Sequence, residues 1–354
     1  MDQVSADVQG SPKSQSTTLS VVIPVHNGGG DLQACLEALL NSTRQPDEVI
    51  IVDDASTDES VTLASRYGMV ISSQSESPVG PARCRNRGVT FTKGDVVIFL
   101  DADVRVHENT LALIESHFEE NPEIAALFGS YDDEPPHRSL VTLYKNLQHH
   151  FVHQHSQREA STFWTGLGAI RRDVFVKLGG FSERYSHPSI EDIELGVRLK
   201  KAGYRVHLCP EIQATHLKRW NLVSLLRTDI RDRAIPWARL IFSTGRLPAD
   251  LNLDWKSRAS SICAWGILPF ILLGFWVPAA CIGIPILAGF IVFANFPLYR
   301  FFHERGGVWF AMGAVSLHFL YFLYSSLTFG LIWLEHRISR KSHTISVSYE
   351  SMGD

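Results

Sequence analysis

Charge is what this chain lacks over its longest stretches: no Asp, Glu, Lys or Arg occurs from about Ile262 to Tyr299, and a second uncharged run extends from about Gly306 to Leu334. A bilayer core takes roughly 20 apolar residues per helix, so the first run is long enough for two crossings and the second for one. A buried soluble helix rarely runs so far without charge. Pro269, Pro278, Pro285 and Pro297 kink these helices or mark a hairpin turn near Pro278 to Pro285. Three crossings from a cytoplasmic domain would place Arg337, Arg340 and Lys341 outside, against the positive-inside tendency; two crossings, with one segment re-entrant or interfacial, remove that conflict. The first 18 residues are rich in Ser and Gln and hold no apolar core, which predicts a flexible tail and not a signal peptide. Membrane targeting then falls to the carboxyl end. The five cysteines, Cys35, Cys84, Cys209, Cys263 and Cys281, have no metal-ligand spacing and fit a reducing compartment. With 33 basic against 37 acidic residues, net −4, nothing favours nucleic acid as a partner.

What is present begins with Val96-Val97-Ile98-Phe99-Leu100-Asp101-Ala102-Asp103, an unbroken apolar strand that delivers two carboxylates to its carboxyl end. In open α/β sheets ligands collect outside the carboxyl ends of strands. A hard cation held by one or two carboxylates keeps positions free for substrate phosphates. Upstream, Leu19 to Val25 reads as a strand ending in His26-Asn27 and three glycines, and Asp31 is expected to cap a helix carrying Leu32, Cys35, Leu36, Leu39 and Leu40 at helical spacing. A second buried strand, Glu48 to Val52, ends in Asp53-Asp54-Ala55-Ser56-Thr57-Asp58. A helix follows, and Gly80-Pro81-Ala82-Arg83-Cys84-Arg85-Asn86-Arg87-Gly88 opens another. The expected order is strand, helix, strand, helix, helix, strand, in a mostly parallel, doubly wound sheet. Asp53 and Asp54 serve turn chemistry, with Ser56 or Asp58 capping the next helix, or accept hydrogen bonds from a base or ribose. Helical spacing lets only some of the arginines point into the site, where a guanidinium beside a helix N-terminus suits an anion.

Ile23-Pro24-Val25-His26-Asn27, Val52-Asp53-Asp54-Ala55-Ser56-Thr57-Asp58, the Gly80 to Gly88 segment and Asp101-Ala102-Asp103 resemble, in order and spacing, the successive motifs of the family-2 glycosyltransferases. The resemblance covers roughly residues 18 to 220. It implies a GT-A fold, a nucleotide-sugar donor, a divalent metal, Mg or Mn, on Asp101 and Asp103, and inversion at the anomeric carbon. It places Pro24, His26, Asn27, Asp53, Asp54, Arg83, Arg85, Asn86 and Asp101 at the donor. Thr165 to Phe175 resembles the segment bordering donor sugar and acceptor, which brings in Trp164 and Gly166; Leu167-Gly168 stand where relatives often carry an Asn.

The next acids are Glu191-Asp192, after Pro188 and Ser189, at the start of a helix expected to turn Ile193, Val197 and Leu199 inward. Such carboxylates can be simple partners of the helix dipole. Matched to the family's Glu-Asp motif, Asp192 becomes the general base, or positions the acceptor if that is an ionised lipid phosphate, and Glu191 orients its neighbours. His216-Leu217-Lys218-Arg219-Trp220 resembles the Gln-x-x-Arg-Trp motif of processive polysaccharide synthases, with His in place of Gln. His216 is then a third metal ligand or a structural residue, and Trp220 stacks on a sugar or anchors the chain at a membrane surface. Residues 217–258 hold nine Lys or Arg against four Asp, interleaved with apolar residues, as in a segment lying on anionic headgroups or a salt-bridged surface helix.

The expected organisation is a flexible tail over 1–18, a GT-A catalytic domain over 19–220 with a Rossmann-like, mostly parallel sheet, an interfacial amphipathic region over 221–258, two to three membrane segments over 259–335 and a polar tail over 336–354. The expected protein is a multi-pass cell-membrane enzyme, catalytic domain on the cytoplasmic side, with a nucleotide-sugar donor, a lipid-linked or glycolipid acceptor and no nucleic acid among its partners. The alternatives are a processive synthase and a non-catalytic nucleotide-sugar-binding membrane protein.

Overall fold

The computed structural model describes residues 16–244 and 255–350, with side chains through residue 338. The tail over 1–18 lies outside the described residues up to residue 15, as do 245–254 of the amphipathic region and 351–354. The chain runs β1 (Leu19–Val25), α1 (Gly29–Leu40), β2 (Glu48–Asp53), α2 (Ser60–Ala64), β3 (Met69–Ser72), α3 (Pro81–Val89), β4 (Val96–Leu100), β5 (Val104–Val106), α4 (Thr110–Glu120) and β6 (Ile124–Tyr131). It continues through α5 (Leu140–His155), β7 (Leu167–Arg171), α6 (Arg172–Lys177), α7 (Glu191–Lys201) and β8 (Arg205–His216). The remainder is helical: α8 (Leu222–Arg227), a π-helical stretch Thr228–Ala234, α9 (Ile235–Thr244), α10 (Trp255–Gly274), a 3-10 turn Pro278–Ile282, α11 (Gly283–Ala294) and α12 (Phe296–Glu350).

The strands form one sheet in the order β3-β2-β1-β4-β7-β6-β8-β5. β1 pairs in parallel with β2 and β4, and β2 with β3. Beyond β4 the sheet is mixed: β7 is antiparallel to both β4 and β6, β6 and β8 are parallel, and β5 closes the far edge antiparallel to β8. Strand alternation sends Val21, Ile23 and Val25 to the face covered by Leu32 and Leu36 of α1. Val22 goes to the opposite face, with Ala82 and Val89 of α3. Each such fully buried side chain contributes about 1.5–3 kcal/mol, so strands lined on both faces read as continuous apolar runs.

Three local expectations are corrected. The segment before Gly80 adds an edge strand, β3, whose Met69 and Ser72 face solvent, so it carries little apolar signal. Asp31 does not cap α1; Gly28 is the N-cap and Asp31 sits in the first turn, beside the helix dipole. In α7, Leu195 and Leu199 turn inward while Ile193 and Val197 are only half buried, because Glu191 and Asp192 take the buried side of the first turn.

Two of the C-terminal helices are long and apolar enough to cross a membrane by length and composition, Trp255–Gly274 and Phe296–Ile338, and Pro278–Ala294 is a shorter apolar stretch between them. α12 bends at Gly307, where φ is 76°. A third apolar cluster ties this part to the catalytic domain: Tyr144 and Leu147 of α5, Trp220, Leu225 of α8, and Phe302 and Phe310 of α12. Trp220 is thereby buried in packing.

Candidate active site

The carboxyl ends of β1, β2 and β4 open on one side, and the loops there are held in costly conformations. Asn27 and Ala55 adopt φ values of 54° and 56°, a left-handed region that L-residues enter rarely and that concentrates at functional loops. Asp54 is buried and accepts from the backbone N–H groups of Val79 and Gly80, both at 2.9 Å. It thus ties the end of β2 to the start of α3. Gly80 has φ 91°, and a Cβ there would lie 2.6 Å from the carbonyl oxygen of Ser186, so only glycine lets that loop cross the α3 N-terminus. Asp53 accepts from the N–H of Ser56 at 3.2 Å, and His26 Nδ1 lies 2.8 Å from the carbonyl oxygen of Asp54.

α3 separates its arginines by direction. Arg83 pairs with Glu183 at an exposed site, and Asn86 donates to the carbonyl oxygen of Phe181 and to Glu183. Neither lines the cavity described below. Arg85 is buried and forks between two acids, Nη2 to Asp101 at 2.6 Å and Nη1 to Glu191 at 2.8 Å. Its two terminal nitrogens are taken by carboxylates, while Nε is buried without a partner. It compensates the buried charge of Glu191 and the partly exposed one of Asp101.

Asp101 and Asp103 follow β4 in a turn closed by the Val104 N–H on the Asp101 carbonyl oxygen. Burial raises the Asp101 pKa, reinforced by neighbouring Asp103. At Asp103 burial acts the same way, but His216 and Lys218 outweigh it and leave the carboxyl below its ordinary range. The β5–β8 register places His216 opposite Val104, which brings its Nε2 to 3.6 Å from Asp103 Oδ2. His216 Nδ1 lies 2.8 Å from Oδ1 of Asn146, whose amide nitrogen donates to the Thr142 carbonyl oxygen. Asn146 therefore accepts, Nδ1 carries a proton, and Nε2 is turned to the Asp103 carboxylate. An imidazole nitrogen and a carboxylate oxygen 3.6 Å apart, beside a second carboxylate, have the chemistry of a hard divalent cation's ligands, although among the described residues only His117, Cys209 and Glu211 bring three such atoms within 4.8 Å of one another. Asp101, Asp103 and His216 are the residues that would hold it.

α7 supplies the other acids. Gly196 permits its close approach, since a Cβ there would lie 2.3 Å from the backbone nitrogen of Phe163. Asp192 Oδ2 then accepts from the backbone N–H and hydroxyl of Thr165, at 3.2 and 3.3 Å. Burial, then the like charge of Glu191, push the Asp192 pKa up to about 6. Glu191 is spoken for, by Arg85 and by the Ser189 N–H at 2.9 Å.

These groups share one cavity of about 810 Å³, lined among others by Pro24, His26, Asn27, Asp54, Arg85, Asp101, Asp103, Trp164, Gly166, Glu191 and Asp192. Asp53, Arg83, Asn86, His216 and Trp220 are not among the lining residues. Trp164 presents its ring edge-on within a cluster of Tyr131, His149 and His153, and Tyr131 stacks on His216 at 4.3 Å. Burial holds the His149 and His153 pKa values low, His153 at about 3, so both are neutral donors or acceptors beside the site. The sequence reading missed Lys145, His149 and His153, although their four-residue spacing on one helix face was a usable signal. Elsewhere His117, Cys209 and Glu211 approach within 4.8 Å. There Glu211 is held by Arg158 and burial raises the Cys209 thiol to about 12.

Residues 20–179 match the family described as Glycosyl transferase family 2, and residues 145–220 match the N-terminal domain of galactosyltransferase. The O-antigen chain rhamnosyltransferase RfbN of Salmonella typhimurium is 28% identical over 56% of this chain and 66% of its own length. The uncharacterized glycosyltransferase YibD of Escherichia coli is 36% identical over 27% of this chain and 28% of its own length. The chain thus matches from 28% to 66% of the length of these two relatives. A mannosyltransferase from Pyrobaculum calidifontis, solved with GDP-Man and Mn2+, superposes with a TM-score of 0.51 at 16% identity, over 92% of this chain and 87% of that one. The likeness to that structure is one of fold, and the stretch over residues 20–179 is similar to the family-2 glycosyltransferases.

Proposed function

We propose that this chain is a family-2 glycosyltransferase anchored in the cell membrane by its C-terminal helices, with the catalytic domain on the cytoplasmic side. It moves one sugar at a time, with inversion, from a nucleotide-diphosphate donor to a lipid-linked or membrane-proximal acceptor. One observation carries the reading: a single cavity is lined at one end by Asp101, Asp103 and Asp192 and at the other by Ile262 of α10 and Phe322 and Phe329 of α12. An enzyme for freely diffusing acceptors has no use for apolar membrane-type helices as a wall of its site.

Pro24, His26 and Asn27 line the donor end, while Asp53 and Asp54 shape the loops around it. Asp101 and Asp103, with His216 behind them, would hold Mg or Mn, which when bound neutralises charge on the departing diphosphate. Asp192, ionised above about pH 6, takes the proton from the acceptor hydroxyl. The oxygen–carbon bond to the acceptor forms as the carbon–oxygen bond to the phosphate breaks, on opposite faces of the anomeric carbon. Glu191 and Arg85 hold that base and Asp101 in fixed relation. Trp164 and Gly166 border the sugar.

The test is to incubate membranes containing the full chain with a panel of labelled nucleotide sugars and extract the lipids. Label in the lipid fraction, lost in Asp103→Ala, is expected. Nucleotide-sugar binding with no transferred label from any donor would overturn the reading in favour of a sensor. Labelled products of many lengths would overturn single transfer in favour of a processive synthase.

A further inference from the structure

Between the acidic end of the cavity and its apolar wall lies a belt of cations that the sugar-transfer chemistry does not use. Apart from the groups at the donor and catalytic end, the charged lining residues are Lys145, Lys218, Arg233 and Arg258 against the single acid Asp229. They come from four places in the chain: α5, the segment after β8, the π-helical stretch and α10. Lys145 is held by Asp229 at 2.7 Å, and the other oxygen of that carboxylate accepts from the Tyr324 hydroxyl of α12 at 2.7 Å. This bridge fixes the π-helical stretch between the catalytic domain and the long helix. It also occupies the one acid of the belt, so three cations are in surplus, and Lys218 and Arg233 are the two that lie outside the long apolar helices.

Lys218 stands over the Trp220 ring at 4.5 Å and is close enough to Asp103 to lower its pKa. Arg233 lines the same cavity from the π-helical stretch, and its charge bears on Lys145, His149 and Asp229. Directly after it in the chain come Trp237 and Ile241 of α9, which with Ile262, Phe322 and Phe329 make the apolar wall. A π-helical turn widens the helix and is common at functional sites; here it sets Asp229 and Arg233 where cationic belt and apolar wall meet.

From this juxtaposition we infer that Lys218 and Arg233 form a binding site for the phosphoryl head group of an amphiphilic acceptor, whose hydrocarbon chain lies along Trp237, Ile241 and Phe329. The inference rests on the acceptor reading above and narrows it. Charge complementarity selects a phosphate or diphosphate ester, because cations in a half-buried cavity bind a compact dianion far better than a neutral glycolipid. The apolar wall selects a hydrocarbon-bearing ester over a free phosphate or a soluble sugar phosphate. The cavity volume is at the upper part of the range of about 300–1,000 Å³ for ligand sites, as expected where a donor and part of an acceptor share one space. A phosphoryl group seated here is either the attacking group itself or a handle that presents a sugar hydroxyl to Asp192.

The test uses the full chain in nanodiscs of neutral lipid and three probes: a labelled short isoprenyl monophosphate, the matching isoprenyl alcohol, and inorganic phosphate. Nucleotide binding is measured in parallel with a panel of nucleoside diphosphates. The monophosphate is expected to bind tightly, the alcohol and phosphate weakly, and Arg233→Ala to weaken the monophosphate by about tenfold or more while nucleotide affinity stays unchanged. Arg233→Lys restores part of the loss, which a purely structural role would not. Equal binding of monophosphate and alcohol, or an equal loss of nucleotide binding in Arg233→Ala, overturns the inference, the second result assigning the belt to the donor diphosphate. Retention of tight monophosphate binding in an Arg233→Ala, Lys218→Ala double variant also overturns it. If the wild-type chain binds no nucleotide yet discriminates the monophosphate, the glycosyl-transfer reading fails and the phosphoryl site stands. In the reverse case the enzyme stands and the site falls. Substituting the monophosphate by a diphosphate-linked sugar, and looking for elongation, separates nucleophile from handle.

Discussion

The two ends of the cavity are built to opposite rules. In the catalytic domain charge is buried and apolar side chains are hidden: Arg85, Asp54, Glu191 and Asp192 lie inside, and the β4 residues are fully enclosed. In the C-terminal helices the apolar side chains face outward, with Phe293 80% and Trp309 82% exposed. Polar groups there turn in, as His318 does toward Tyr299 at 3.0 Å. The same residue types therefore do opposite jobs, and the cavity forms where the two arrangements meet. Buried charge in the first region demands paired partners; exposed apolar surface in the second demands a hydrocarbon surrounding or a partner.

The comparison is broken most severely at the strand-end acids. Asp103→Ala is expected to take sugar transfer below detection, with thermal unfolding unchanged; full activity in that variant with chelator present would mean that no metal-binding pair operates. Next in size, Asp192→Asn is expected to lower kcat by about 10²–10⁴-fold. Because the Asp192 pKa is raised to about 6, the wild type should lose activity by about tenfold per pH unit on the acid side of that value, as the base becomes protonated. An acid limb near pH 4 instead would remove Asp192 from the role. A stability effect follows: Arg85→Met strands Glu191 as an unpaired buried charge and should cost about 3–5 kcal/mol, read from denaturant unfolding of the detergent-solubilised chain. Gly196→Ala pushes α7 away from Phe163 and should cost about 1–3 kcal/mol, with kcat falling because Asp192 moves with the helix. At the outward-facing end, Trp309→Ser should leave unfolding within about 0.5 kcal/mol and only reduce partition into vesicles. A large loss of stability there would mean that Trp309 packs in a protein interior, and the contrast between the regions would fail.

The legible parts of this chain are those where one physical signal dominates. β1, β2 and β4 were readable because strands covered on both faces are unbroken apolar runs, and the polar clusters after them mark the open end of the sheet. β3 was not, since a half-exposed edge strand of four residues has neither run nor alternation. The insertion of antiparallel β7 between β4 and β6 is a non-local pairing that no local pattern encodes. At the site, the acid pairs could be read from position alone, whereas their partners could not. Arg83, Arg85 and Asn86 looked equivalent in sequence, and only the fold shows that Arg85 turns to the carboxylates while the others staple α3 to the loop around Glu183. Trp220 carried two readings, sugar platform or surface anchor, and its packing against Leu225 and Phe302 is a third role that position in the sequence did not announce. Lys145 and Arg233 went unread because their significance lies in meeting across the gap between α5 and the π-helical stretch.

The forked grip of Arg85 on Asp101 and Glu191 has a kinetic corollary. On the proposed function, a nucleotide that draws Asp101 toward itself would slacken or tighten the hold on Glu191, the immediate neighbour of the proposed base Asp192. The two substrates would then communicate through a single side chain. Saturation curves for one, taken at several levels of the other, should intersect away from independence, and blunting that guanidinium should uncouple them.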